Sequence, residues 1–228
     1  MYALLNIWRT NVLTNGKLYC DPPFLPAIVY FLDVICLALF VIWLFAADRD
    51  YLVAMLITSM ALALSLCIAT YFVIYYMWMY IDKLTHNELW WNVIVVQNGL
   101  AVWSAWISTQ VALNIGVVLR FHADYSMSAS CWTTLIILLC VYVIYPICDF
   151  YYGSEKLRHI LAPYFVAVIV CIGVISENDD TGVNFIRFAI GILVYTIFVL
   201  LLKVLLTIYR SLQQPTALEC NMYAHGCK

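Results

Sequence analysis

Apolar residues run along this chain in blocks long enough to cross a bilayer, and short polar clusters separate them. Measured against the roughly 20 residues a helix needs to cross a hydrocarbon core, the blocks predict spans at residues 27 to 47, 51 to 81, 89 to 119, 128 to 151, 158 to 176 and 183 to 209. The expected fold is all-α, a polytopic transmembrane helix bundle of about six spans. The blocks are continuous, whereas barrel strands alternate in segments of about 10 residues with turn residues between them.

Residues 1 to 26 read as a pre-membrane segment, or as the remnant of a longer one with a further helix. Arg9, Asn11 and Asn15 interrupt its apolar run before the hydrophobic region of a secretory signal forms. Residues 210 to 228 read as a tail. Lys and Arg, which set membrane orientation, divide unevenly between the two sides. Arg9, Lys17, Lys83, Lys156, Arg158, Lys203, Arg210 and Lys228 fall on one, and Arg49, Arg120 and Arg187 on the other. Both termini are therefore expected in the cytosol; no signal names the organelle.

The polar residues inside the blocks carry the functional information, since each must find a partner, a cavity or water. The third span is the richest, with Asn92, Gln97, Asn98, Ser104, Ser108, Thr109, Gln110 and Asn114. At 100° per residue, Asn92, Gly99, Trp103, Trp106, Gln110 and Asn114 gather within about one third of the circumference. Gln97, Ala101, Ser104, Ser108 and Ala112 form a second stripe of small and polar residues, a surface suited to close helix packing and to self-association. Two protein-facing stripes place this helix at the centre. The tryptophan and carboxamide stripe reads either as packing reinforced by hydrogen bonds or as the wall of a ligand cavity. Asp33, six residues into the first span, reads as interfacial or as a polar anchor; Asp149 and Arg187, near span ends, read as headgroup contacts. Pro146 and Pro163 invite kinks that open space beside the third helix.

Composition removes other classes. Of 228 residues, 66% are hydrophobic and 11% charged, against roughly 45–50% and about 25% in soluble domains, so the bilayer is the expected partner. No phosphate loop, metalloprotease helix or nucleophile elbow is present, and the four histidines lie in loops, near span ends or in the tail; catalysis and cofactors are not expected. There is no basic patch for nucleic acid. Cys36, Cys67, Cys140 and Cys171 fall within spans as small apolar residues, and Cys220, His225 and Cys227 are one ligand short of a closed zinc site.

The segment "AWISTQVALN", residues 105 to 114, resembles the Ala-Trp, spacer, Leu-Asn pattern in the last helix of the translocator proteins, the tryptophan-rich sensory proteins. "FLDVICLALFVIWLFAADRD", residues 31 to 50, resembles that family's middle helix. The resemblance covers residues 27 to 119, the last three helices of a five-helix bundle, and divergent multi-pass animal relatives with extra carboxyl-terminal helices look closer still. Gln110 stands where the family tends to carry Ala, and Asp33 where Asn is usual; the family's first two helices have no counterpart in residues 1 to 26. The resemblance implies a porphyrin- or sterol-like ligand in a Trp-lined cavity, with Trp106 and Asn114 facing Trp43 and Asp33. The expected ligand-binding set is Trp43, Trp103, Trp106, Gln110, Asn114 and Asp33. The alternatives are a transporter or channel with a polar path through Asp33, Gln97 and Asn98, and a structural membrane subunit.

Overall fold

The computed structural model describes residues 27–80, 90–152, 157–177 and 183–213. The pre-membrane segment and the tail beyond 213 lie outside the described residues, as do Lys83, Lys156, Asp179 and Asp180. Six helices make up the described chain, with no strand among those residues: α1 Ala27–Asp48, α2 Leu52–Met79, α3 Asn92–Phe121, α4 Met127–Tyr152, α5 Ala162–Glu177 and α6 Val183–Gln213. All but α5 are long and apolar enough to cross a membrane. The fold is the all-α polytopic bundle that the apolar blocks predict.

The fifth block resolves differently from a plain span. Residues 157–159 form a turn and α5 begins at Ala162, leaving a helix of 16 residues. At about 1.5 Å per residue it covers about 24 Å, short of the roughly 30 Å hydrocarbon core. Pro163 is the reason for the late start: lacking an N–H, it fits the first turn of a helix, where no intrahelical partner is lost. It therefore opens α5 and does not kink it. Pro146, by contrast, lies inside α4.

Packing is organised on α3, which contacts α2, α4 and α5; α1 packs on α2, and α6 on α5 and α4. One half of the core joins α1, α2 and α3 through Cys36, Leu62, Leu66 and Ile107. The other joins α3 to α4, α5 and α6 through Ala112, Leu138, Ala167 and Ala189. The outer faces carry exposed large apolar side chains, including Phe31, Phe45, Ile57, Leu64, Phe198 and Leu205. An aqueous protein would bury such residues; a bilayer solvates them.

On the side of the membrane where α1 meets α2 and α3 meets α4, two tight connections turn on Asp50 and Asp124. Both have positive φ, 54° and 53°, in the left-handed region that a short polar side chain tolerates. Just inside, α3 and α4 approach at Gly116: Ser130 Oγ donates to the Gly116 carbonyl, and a Cβ built at Gly116 would collide with Thr134 Oγ1. Gly116→Ala should therefore destabilise the bundle by about 1–3 kcal/mol through overpacking. Adding Thr134→Ala, which removes the colliding oxygen, should recover most of that loss when unfolding is followed in detergent.

Candidate functional site

The third helix opens with an irregularity. Residues Asn92–Gln97 form a π-helical segment before the α-helix Asn98–Phe121. A π turn inserts one residue into the α register, so positions before it rotate by about 100° relative to those after. Asn92 is thereby rotated out of register with the rest of the expected stripe; it and Asn114 are both buried, and Trp106, at the stripe's edge, is 46% exposed on the outer surface.

Of that stripe, Trp103 and Asn114 pack against α1 and α2. Trp43 stacks on Phe40 with centroids 5.8 Å apart, and Phe40 meets Trp103 edge-on at 6.4 Å. Asn114 Nδ2 donates to Ser59 Oγ at 3.0 Å, tying α3 to α2. Gln110 is half-buried and Asp33 is exposed on α1. Trp43, Phe40 and Trp103 thus come together, whereas Trp106 and Asp33 stand apart. Of the residues expected on a polar path, Gln97 is buried and donates to Met77 Sδ at 2.9 Å.

Asn98 is fully committed elsewhere. Its Nδ2 donates to the carbonyls of Val93 at 2.8 Å and His159 at 3.2 Å; its Oδ1 accepts from the backbone N–H groups of Leu161 at 3.1 Å and Ala162 at 3.3 Å. Two donors and two lone pairs are the whole capacity of a carboxamide, so Asn98 caps α5 from a neighbouring helix and anchors the turn that precedes it.

The larger open space lies on the opposite side of α3, beside the small stripe. Because α2 and α4 both pack on α3 but scarcely on each other, a cleft of about 450 Å³ remains between them. Cys67, Thr70, Tyr71, Ile74 and Tyr75 of α2 form one wall, Tyr145, Cys148 and Asp149 of α4 the other, with Ala101 and Ser104 of α3 behind and Leu157, Ile160 and Pro163 at one end. Cys67, Ser104, Tyr145 and Pro163 also line an adjoining void of about 130 Å³, which reaches Ser108, Pro146, Tyr164 and Thr196. The two prolines and the small face of α3 therefore border the same space. None of Trp43, Trp103, Trp106, Gln110, Asn114 or Asp33 lines either cavity.

Asp149 marks the polar end of the cleft. It is 1% exposed, and Lys203 of α6 is 4% exposed, which corrects the headgroup reading of Asp149 and the assignment of Lys203 to the flanking cations. Lys203 Nζ lies 2.9 Å from Asp149 Oδ1 and 2.7 Å from Oδ2, and also donates to the Leu157 carbonyl at 3.1 Å. Tyr164 Oη donates to Asp149 Oδ2. The Lys203 ammonium further sits 5.8 Å from the Phe150 ring centroid. Four residues after Lys203, Thr207 Oγ1 donates to the Arg158 carbonyl at 3.1 Å. One carboxylate thus joins α4, α5 and α6 at a single point.

Sequence could have shown this cluster. Lys203 stands within "VYTIFVLLLKVLLTIY", residues 194 to 209, and a lysine inside an apolar span calls for a partner. Asp149 is the acidic residue near the matching end of α4. Counting both as span-end residues hid the pairing. No cluster of three or more His, Cys, Asp or Glu suited to a metal occurs among the described residues. Set against protein-family models, curated proteins and solved structures, the chain matches none.

Two outcomes follow. Asn98→Leu removes the acceptor for two backbone N–H groups, each worth about 1–3 kcal/mol when buried unpaired, so hydrogen exchange at Leu161 and Ala162 should accelerate while that at mid-α6 amides holds. Lys203→Met should cost about 3–5 kcal/mol by stranding a buried carboxylate, and Lys203→Met with Asp149→Asn should regain most of it; unfolding midpoints of the singles and the double check both.

Proposed function

We propose that this is a membrane protein that binds a small, largely apolar or flat molecule of porphyrin or sterol type, without catalysis. The observation that carries this reading is the cleft of about 450 Å³ bordered by α2, α3 and α4. Ligand sites in helical proteins are typically concave spaces of about 300–1,000 Å³, mostly apolar, with a few polar groups that orient the occupant. The cleft has that character. Ile74, Leu157 and Ile160 supply apolar wall, the rings of Tyr71, Tyr75 and Tyr145 supply flat surfaces, and Thr70, Ser104 and Asp149 supply polar contacts. The resemblance of residues 27 to 119 to the translocator proteins suggests the ligand class. It also places the ligand at the tryptophans, whereas the open space favours the other face of α3.

A photoreactive sterol and, separately, a porphyrin distinguish the two faces in the purified protein. Saturable labelling should map to α2 and α4 residues around the cleft. Ser104→Phe, which fills the junction of the two cavities, should weaken affinity at least tenfold, about 1.4 kcal/mol, while Trp106→Phe should leave it unchanged. The reverse pattern places the ligand at the tryptophan stripe. Saturable labelling by neither probe makes the cleft a packing defect of a structural subunit.

A further inference from the structure

A further opening lies toward the other end of α3 from Asn98 and shares no lining residue with the cleft or its adjoining void. It is a slot of about 190 Å³ between α3 and α4. Gly116 contributes no side chain to fill it, and Ser130 and Thr134 of α4 lie against that glycine. Leu113 and Val117 of α3, Leu135 and Leu138 of α4, Val174 of α5 and Phe185 of α6 give the slot an apolar lining. Leu135, Leu138 and Phe185 are buried, so it reaches into the bundle, whereas Phe121 and Met127 at its rim are exposed. The hydroxyls along it are already committed: Ser130 Oγ donates to the Gly116 carbonyl, and Thr134 Oγ1 donates to the Ser130 carbonyl at 3.1 Å.

Arg120 is the one charged side chain that lines the slot among the described residues. It stands in the last turn of α3, where a membrane helix meets the headgroups. One Nη1–H bond reaches the Tyr125 carbonyl at 3.0 Å, and the guanidinium lies 5.9 Å from the Phe121 ring centroid. No carboxylate among the described residues pairs with it. A guanidinium carries five N–H donors in a planar fork, so most of the fork is left for an acceptor from outside the bundle. A phosphate suits that fork, because its oxygens accept two parallel N–H bonds.

We propose that the slot is a binding site for one anionic phospholipid, with an acyl chain inside it and the phosphate on Arg120. Volume and polarity both select such an occupant. Pockets for compact ligands measure about 300–1,000 Å³; this one is smaller, and accepts a single hydrocarbon chain. Between Arg120 and Leu113 the helix rises about 10 Å, so a chain that begins at the guanidinium runs inward along apolar wall for that distance. With the hydroxyls committed, nothing inside the slot calls for a polar ligand, and the cation at its mouth calls for a negative one. A zwitterionic phospholipid brings an ammonium of its own and leaves Arg120 without a net counter-charge. The cleft and its ligand play no part in this site.

The test is native mass spectrometry of the full chain in detergent, supplied with equal amounts of phosphatidylglycerol and phosphatidylcholine bearing identical acyl chains. Wild type should retain one phosphatidylglycerol with a preference of roughly fivefold, the worth of one cation at an anionic surface. Arg120→Gln should bring the two lipids to parity. Val117→Trp, which fills the slot and keeps the cation, should retain neither. Arg187→Gln should change nothing, since that exposed arginine does not line the slot. Equal retention of the two lipids by wild type, a preference that survives Arg120→Gln, or one that Arg187→Gln removes equally overturns the proposal. If the substituted chains do not fold, phosphatidylglycerol with a photoreactive acyl chain is applied to wild type. Labelling that unlabelled phosphatidylglycerol displaces should map to the α3 and α4 residues of the slot; displaceable labelling on the outer faces of α1 and α6 instead overturns it equally.

Discussion

A charge inside a bilayer must bring its counter-charge with it, and the arrangement of three of the six helices follows from how Lys203 does so. An ammonium within an apolar helix is costly unless neutralised, hydrated or able to snorkel. Lys203 is too deeply packed to snorkel, with 5% of its side chain exposed, and Asp149 meets it at 2.7 Å. Continuum arguments make such a pair a weak source of net stability but a strong penalty when half of it is lost. Its structural consequence is positional: α4 and α6 are held at the depth where the two groups coincide, and Tyr164 fixes the start of α5 to the same carboxylate.

The second constraint is that backbone at membrane depth must not be left unpaired. A 16-residue α5 leaves part of the crossing to the non-helical residues 157–161, and their backbone groups find side-chain partners on two other helices, α3 and α6. Lys203 takes the Leu157 carbonyl, Thr207 that of Arg158, and Asn98 takes His159, Leu161 and Ala162. The polarity of this end of the bundle is thus explained before any ligand is invoked. The π segment of α3 belongs to the same solution, because Asn98, its carboxyl-terminal neighbour, also donates to the Val93 carbonyl within it.

Much of the architecture was legible because apolar block length is a strong signal in lipid. The all-α bundle and the central place of the third helix follow from block length and from its two protein-facing stripes. What a uniform 100° wheel could not register was the extra residue of the π turn, which detaches Asn92 from the stripe that ends in Asn114. Nor does a span count register that Pro163 begins a helix instead of bending one. The Asp149 and Lys203 pair was missed for a different reason. Each residue taken alone had an adequate explanation at a span end, and only matching their depths reveals that neither reaches water. The small stripe was legible as a packing surface, yet its middle, Ala101 to Ser108, borders open space because no helix fills the gap between α2 and α4.

The cleft and the ion pair are therefore two results of one packing problem. α3 is broad enough in its contacts to receive α2 on one side and α4 and α5 on the other. Ala101, Ser104, Ala105 and Ser108, being small, do not extend far enough to close the angle between those neighbours. A fully apolar bundle would collapse such a gap by moving α4 toward α2, since empty volume forfeits dispersion contacts. Here α4 is not free to move that way: Asp149 is drawn toward α6 and α5 by Lys203 and Tyr164. The same attraction that neutralises the buried lysine thus keeps the cleft from closing, and leaves the carboxylate that maintains it at the cleft's edge.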